Sequence, residues 1–223
     1  MNGRFRVKIC GTTRADDAAC AVAAGVDALG FIFFPKSPRN IEPKAAQTII
    51  AGLPPFVDTV GVFVNETLSR VQEIAAFCGL NTIQLHGAET PDYCRELATA
   101  LPWCRLLKAF RIGSHSRAAD IAPYAEVVQG YLLDTFQKDA EGGTGLAFDW
   151  NLIERLQLRR PFFLAGGLDC TNIHAALTQV RPYGVDANSG LEDAPGIKNH
   201  QKIASFLAQI RQMECLNHSS GQE

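Results

Sequence analysis

Two side chains carry the first hint of chemistry. Cys10 closes the run Phe5-Arg6-Val7-Lys8-Ile9, and Asp134 closes Gly130-Tyr131-Leu132-Leu133. A thiolate can take a proton from carbon, and a protonated carboxyl can give one to a leaving oxygen. A fold that brings these two run ends to one pocket would therefore face a base toward an acid. Other polar residues stand at comparable places: Gln84 and His86 around Leu85, and Asp186 between Val185 and Ala187. On a strand, alternate residues share a face, so Lys8 accompanies Cys10, Leu132 accompanies Asp134, and Gln84 accompanies His86. Each has a plainer reading when taken alone. A cysteine at a strand end is more often a small core residue, a strand-end aspartate can cap the next helix, and a buried lysine must be paired to stay charged. Asp186 is the expected partner of Lys8, and that pairing could be purely structural.

Loops add to the pattern. Ala165-Gly166-Gly167-Leu168 and Asn188-Ser189-Gly190-Leu191-Glu192 follow the seventh and eighth apolar runs. Glycine lets a backbone approach an anion closely, so amide N–H groups can hold a phosphate there. A third loop, Gln137-Lys138-Asp139-Ala140-Glu141-Gly142-Gly143-Thr144-Gly145, follows Asp134 and has the length and glycine content of a cover over a site, or of an ordinary surface loop. Arg39, in Phe34-Pro35-Lys36-Ser37-Pro38-Arg39-Asn40-Ile41, offers a guanidinium suited to gripping a carboxylate.

The elements that must position these residues alternate. Strand-like runs fall at 5–10, 28–33, 59–64, 82–86, 105–109, 131–134, 162–165 and 185–187. Segments with helical spacing lie at 15–24, 43–52, 68–78, 91–100, 116–124, 150–156, 172–180 and 198–213. Asn65-Glu66-Thr67-Leu68 offers capping residues before a helix that Gly79 ends, and Thr90-Pro91 puts proline at a first-turn position. Apolar runs cannot by themselves separate an open doubly wound sheet from a closed barrel. Eight such units without a linker favour a single-domain α/β fold, a (β/α)8 TIM barrel over residues 1–216, with a polar, frayed tail at 217–223. In that fold functional residues gather at the carboxyl ends of the strands, and loops seven and eight commonly bind phosphate.

Composition narrows the classes. The chain has 223 residues, 47% of them hydrophobic and 20% charged, with a formal charge of −2. That balance gives no electrostatic drive toward nucleic acid or an anionic membrane. No signal-peptide pattern or spanning segment is evident. The seven cysteines are scattered, without Cys-x-x-Cys spacing, so neither a zinc cluster nor a disulfide scaffold is signalled. A reduced, cytoplasmic protein is expected, and its oligomeric state, monomer or homodimer, stays open.

Taken together, the chain resembles the phosphoribosylanthranilate isomerases of tryptophan biosynthesis over nearly its whole length. The resemblance rests on Lys8-Ile9-Cys10-Gly11 with Thr13-Arg14, Gly30-Phe31 through Ser37, Arg39 and Ile41, Val62-Phe63-Val64-Asn65, and Gln84-Leu85-His86-Gly87. It continues in Leu133-Asp134-Thr135, Gly142-Gly143-Thr144-Gly145 with Phe148-Asp149-Trp150, Ala165-Gly166-Gly167-Leu168, Gly184-Val185-Asp186, Ser189-Gly190-Leu191-Glu192 and Pro195-Gly196-Ile197-Lys198. One departure is Asn188, where the family commonly has serine; this puts a side-chain contact at 188 in question but not a phosphate site built from amides.

The resemblance implies an internal redox rearrangement of N-(5-phosphoribosyl)anthranilate, a small phosphorylated aminoaldose, without metal or cofactor. It implies Asp134 as general acid, Cys10 as general base, and Arg39 as the grip on the anthranilate carboxylate. Asp186, Gln84 and His86 would line the pocket, and Gly143, Gly145, Gly166, Gly167, Ser189 and Gly190 would contact phosphate. The roles call for a lowered thiol pKa, aided by Lys8, and a raised carboxyl. Barrel enzymes with other chemistries fit less well. A histidine-pathway aminoaldose isomerase would need aspartate in place of Cys10, an indole-forming synthase lysine and glutamate at strand ends, and a metal-dependent epimerase convergent histidines. A phosphosugar-binding protein that lost its chemistry is the rival of another class.

Overall fold

The computed structural model describes residues 4–135 and 151–219. The elements run β1 (Arg6–Ile9), α1 (Ala15–Ala23), β2 (Ala28–Ile32), α2 (Pro43–Ala51), β3 (Asp58–Phe63), α3 (Leu68–Cys78), β4 (Thr82–Leu85), α4 (Pro91–Ala100) and β5 (Arg105–Arg111). They continue with α5 (Ala118–Ile121), β6 (Gly130–Asp134), α6 (Asn151–Arg155), β7 (Phe162–Ala165), α7 (Ile173–Val180), β8 (Gly184–Ala187), β9 (Glu192–Ala194), β10 (Ile197–Lys198) and α8 (His200–Ser219). β1 to β8 are all parallel and close into a barrel in chain order, with β1 completing the ring against β8. β9 and β10 form a small antiparallel hairpin outside it.

Strand alternation produces two packing layers. Val7, Ile9, Leu29, Phe31, Leu133, Leu164 and Val185 belong to the large cluster shared with the helices. Ala109, Leu132 and Ala165, with Phe163, form a separate cluster inside the barrel. Near β1 and β8 the interior is ionic: Lys8 is 1% exposed and Asp186 8% exposed, opposite one another in register.

Local chemistry sets the ends of some helices. Thr67 Oγ1 accepts from the Arg70 amide at the start of α3, and Gly79 ends that helix in the left-handed region at φ 71°. Thr90 caps α4 in the same way, with Pro91 in its first turn. The helix expected at 116–124 is instead a single α turn followed by a 3-10 turn, Ala122–Tyr124. Pro123 has no N–H to continue the α ladder, so the chain tightens there. Lys198 belongs to β10 rather than to the last helix, which begins at His200 and runs to Ser219. No helix among the described residues is long and apolar enough to cross a membrane.

Candidate active site

Parallel closure places the end of every strand, and the loop after it, on one rim of the barrel. Cys10 lies just past β1, and its amide donates to the Ala187 carbonyl at 2.9 Å, extending the ladder by one residue. Asp134 ends β6, three strands from β1 by way of β7 and β8. The two residues singled out in the sequence therefore share a rim, which sequence separation alone did not guarantee.

The β1 side is held by charge. Lys8 Nζ donates to Asp186 Oδ1 at 2.9 Å, with both side chains nearly inaccessible. Gly30 on β2 leaves room for Lys8 and Cys10 to converge: a Cβ there would stand 2.8 Å from Cys10 Sγ and 3.1 Å from Lys8 Nζ. Desolvation works against the charge on Lys8, but Asp186 and then Cys10 outweigh it and hold the ammonium above its ordinary value. For Cys10, burial dominates and pushes the thiol up, although Lys8 and Lys198 pull it down. The lowered thiol expected from the sequence is thus corrected. At 4% exposure Cys10 is withdrawn from the water that would stabilise a thiolate, and the neighbouring ammonium offsets only part of that cost.

The opposite side is partly open to solvent. Gln84 Nε2 lies 3.1 Å from His86 Nδ1, and His86 Nε2 lies 3.6 Å from Asp134 Oδ2. With Gln84 donating, the ring carries its proton on Nε2, toward the carboxylate. Gln84 is buried and its Oε1 has no hydrogen-bond partner among the described residues. The loop that carries His86 is anchored from beneath by a pair the sequence reading did not single out. Lys108 Nζ donates to the carbonyls of Leu85, Gly87 and Ala109 and stands 3.1 Å from Glu89 Oε2. Glu89 in turn accepts from the Asn65 and Gly87 amides. The available signal was a lysine inside the apolar run Leu106-Leu107-Lys108-Ala109-Phe110.

The loops after β7 and β8 make a continuous surface. Gly166 and Gly167 take φ of 102° and 68°, backbone that a side chain would strain. Gly190 packs so closely that a Cβ would lie 2.2 Å from the Leu168 carbonyl oxygen. Ser189 begins a 3-10 turn between β8 and β9. Gly143 and Gly145, with the rest of the loop expected at 137–145, lie outside the described residues.

Arg39 reaches the same rim from the loop after β2 but is already engaged. Its Nε donates to Glu192 Oε1 at 2.9 Å and its Nη2 to Glu192 Oε2 at 2.7 Å. Lys198 Nζ donates to Glu192 Oε1 at 2.8 Å and to Asn188 Oδ1 at 2.9 Å. The contact of residue 188 left in question by the sequence is therefore to a buried lysine.

Residues 7–209 match the family model described as N-(5'phosphoribosyl)anthranilate (PRA) isomerase. A protein of Trichlorobacter lovleyi named N-(5'-phosphoribosyl)anthranilate isomerase is 45% identical, the alignment covering 93% of this chain and 98% of the relative. The crystal structure of phosphoribosyl anthranilate isomerase from Thermotoga maritima superposes with a TM-score of 0.80 at 39% identity, over 93% of this chain and 99% of that one. A solved isomerase in complex with reduced 1-(o-carboxyphenylamino)-1-deoxyribulose 5-phosphate gives a TM-score of 0.78 at 38% identity, with the same coverage of each chain.

Proposed function

The chain belongs to the N-(5'phosphoribosyl)anthranilate isomerase family, and from that premise we propose how its own residues carry out the reaction. The activity is the isomerisation of N-(5'-phosphoribosyl)anthranilate to 1-(2-carboxyphenylamino)-1-deoxyribulose 5-phosphate, a step of tryptophan biosynthesis. Asp134 gives a proton to the furanose ring oxygen as the bond from that oxygen to C1 breaks. The lone pair of the anthranilate nitrogen closes onto C1 to form the protonated imine. Cys10, as thiolate, then takes the proton from C2, and the electron pair moves through C1 to the nitrogen, giving an enolamine. Tautomerisation leaves C2 as the ketone and C1 as a CH2 group, so C2 is oxidised and C1 reduced within one molecule.

Lys8 makes the thiolate attainable despite its burial, because its ammonium meets the sulfur over Gly30 and is itself held by Asp186. His86, whose Nε2 stands 3.6 Å from Asp134 Oδ2, lines the pocket beside the acid. Amides of the loops after β7 and β8, at Gly166, Gly167, Ser189 and Gly190, form the phosphate cradle, and the family resemblance adds Gly143 and Gly145 as phosphate contacts. Arg39 binds the anthranilate carboxylate, and Gln84 and Asp186 line the pocket between. A cytoplasmic setting suits a protein in which Cys10, Cys20, Cys78, Cys94, Cys104 and Cys170 are free thiols.

The observation that carries the assignment is the Lys8-Cys10-Asp186 arrangement on the rim that Asp134 shares. A buried ammonium beside a thiol lowers the cost of the thiolate, which is what a base at Cys10 requires. The test is a fluorescence assay in which the substrate is formed in place from anthranilate and phosphoribosyl pyrophosphate by a separate transferase. Wild-type protein accelerates conversion to the rearranged product, while Cys10→Ala and Asp134→Asn each lose most turnover with unchanged circular dichroism. Wild-type-like turnover in either variant would remove that residue from its role.

A further inference from the structure

The hairpin β9–β10 lies outside the barrel, yet both its ends point polar groups back into the rim. Glu192 opens it and Lys198 closes it, at 8% and 4% exposure. Three cationic or amide groups converge on the Glu192 carboxylate: Arg39 through Nε and Nη2, Lys198 through Nζ, and the Gly196 amide at 3.3 Å. The hairpin is pinned to the loop after β1 and to α1 as well, since Thr13 Oγ1 donates to the Gly196 carbonyl and the Lys198 amide donates to Asp17 Oδ2.

The way Arg39 is held is informative. A guanidinium has five N–H donors on a planar fork. Glu192 takes the side formed by Nε and Nη2, and Arg39 Nη1 has no partner among the described residues. The end of the fork formed by Nη1 and the second N–H of Nη2 therefore remains available for another planar carboxylate. One guanidinium can join two carboxylates in this way, one from the protein and one from a ligand. Charge agrees with that count: Arg39, Lys198 and Glu192 together leave one positive charge uncompensated on a largely buried cluster. Lys198 extends the linkage, donating to Asn188 Oδ1 and to the Asn188 carbonyl at 3.3 Å. Asn188 immediately precedes Ser189 and Gly190, so the chain of contacts runs from Arg39 to the loop after β8.

We propose that Glu192 is a positioning residue for substrate selection, fixing Arg39 end-on toward the aromatic carboxylate and, through Lys198 and Asn188, tying that grip to the phosphate loop. The protein thus reads two anions of one substrate at a set separation. This rests on the isomerase assignment above, and the experiment keeps the two apart. Wild type and Glu192→Gln are compared on the carboxylated substrate and on N-(5-phosphoribosyl)aniline, which lacks the carboxylate. Conversion of the carboxylated substrate by wild type checks the assignment itself, before any variant is considered.

With the carboxylated substrate, Glu192→Gln raises KM about tenfold, the scale of one hydrogen bond to a charged group, and changes kcat less than threefold. With the aniline substrate the same substitution leaves KM within twofold. In an Arg39→Ala background it adds no further loss. Should Glu192→Gln fail to fold, Glu192→Asp keeps the charge, withdraws it by one methylene, and raises KM for the carboxylated substrate alone. Equal changes on both substrates, an effect confined to kcat, or an additional KM rise in the Arg39→Ala background would overturn the proposal.

Discussion

Replacing Gly30 with alanine is a sharp test of the base assignment, because it adds one methyl group at the contact that the mechanism uses. The new Cβ would fall 2.8 Å from Cys10 Sγ, 3.0 Å from Lys8 Cε and 3.1 Å from Lys8 Nζ. The sulfur must then retreat by 0.6 Å to reach the 3.4 Å at which ordinary contact begins. Lys8 cannot yield freely, since its ammonium is fixed to Asp186 at 2.9 Å inside the barrel. Most of the displacement therefore falls on Cys10. Misplacement of a catalytic group by about 1 Å costs on the order of a hundredfold in rate, so a displacement of this size should lower kcat roughly ten- to a hundredfold. Overpacking of a well-filled site costs about 1–3 kcal/mol of stability, which the fold should survive. Turnover is read by the fluorescence assay, stability by urea denaturation, and thiol ionisation by the pH dependence of iodoacetamide alkylation at Cys10. Greater separation from Lys8 should move that ionisation further toward alkaline pH. A Gly30→Ala protein with kcat within twofold of wild type would refute the idea that Lys8 and Cys10 act in contact.

Two more expectations follow from the charges. Burial favours the neutral thiol of Cys10 over the thiolate, so the base is armed only as its proton leaves; kcat/KM should rise with pH through the alkaline range, and a plateau already reached below the ordinary thiol pKa of about 8.5 would contradict this. Lys108→Met strands Glu89, whose side chain is 1% exposed, and removes the donor to three carbonyls; a loss of about 3–5 kcal/mol in urea denaturation is expected, and a loss below about 1 kcal/mol would show that the pair contributes little.

Some of the architecture was legible because it is written in local patterns. Apolar runs alternating with amphipathic segments give strand and helix, and Thr67, Gly79 and Thr90-Pro91 mark helix ends through hydrogen bonds that reach only a few residues. Strand alternation put Lys8 with Cys10 and away from Ile9, and register then placed Lys8 opposite Asp186. The failures have the same origin. Pro123 breaks the expected fifth helix, since it has no N–H to continue the α ladder. Lys198 falls in β10 rather than in the expected last helix, because a two-residue strand has no periodicity to detect.

By itself, the sequence determined the order of elements, the inward or outward face of each strand residue and the positions at which a base, an acid and an anion cradle could stand. These depend on the covalent spacing of residues along a strand or helix, which folding does not alter. Closure of the barrel decided the rest. It placed the ends of β1 and β6 on one rim, buried Cys10 deeply enough to push its thiol up, and seated Arg39 against Glu192, which is 153 residues away in the chain. Those outcomes depend on which groups are brought together and which are removed from water. Both are properties of three-dimensional packing, and neither is encoded in the spacing of a single strand.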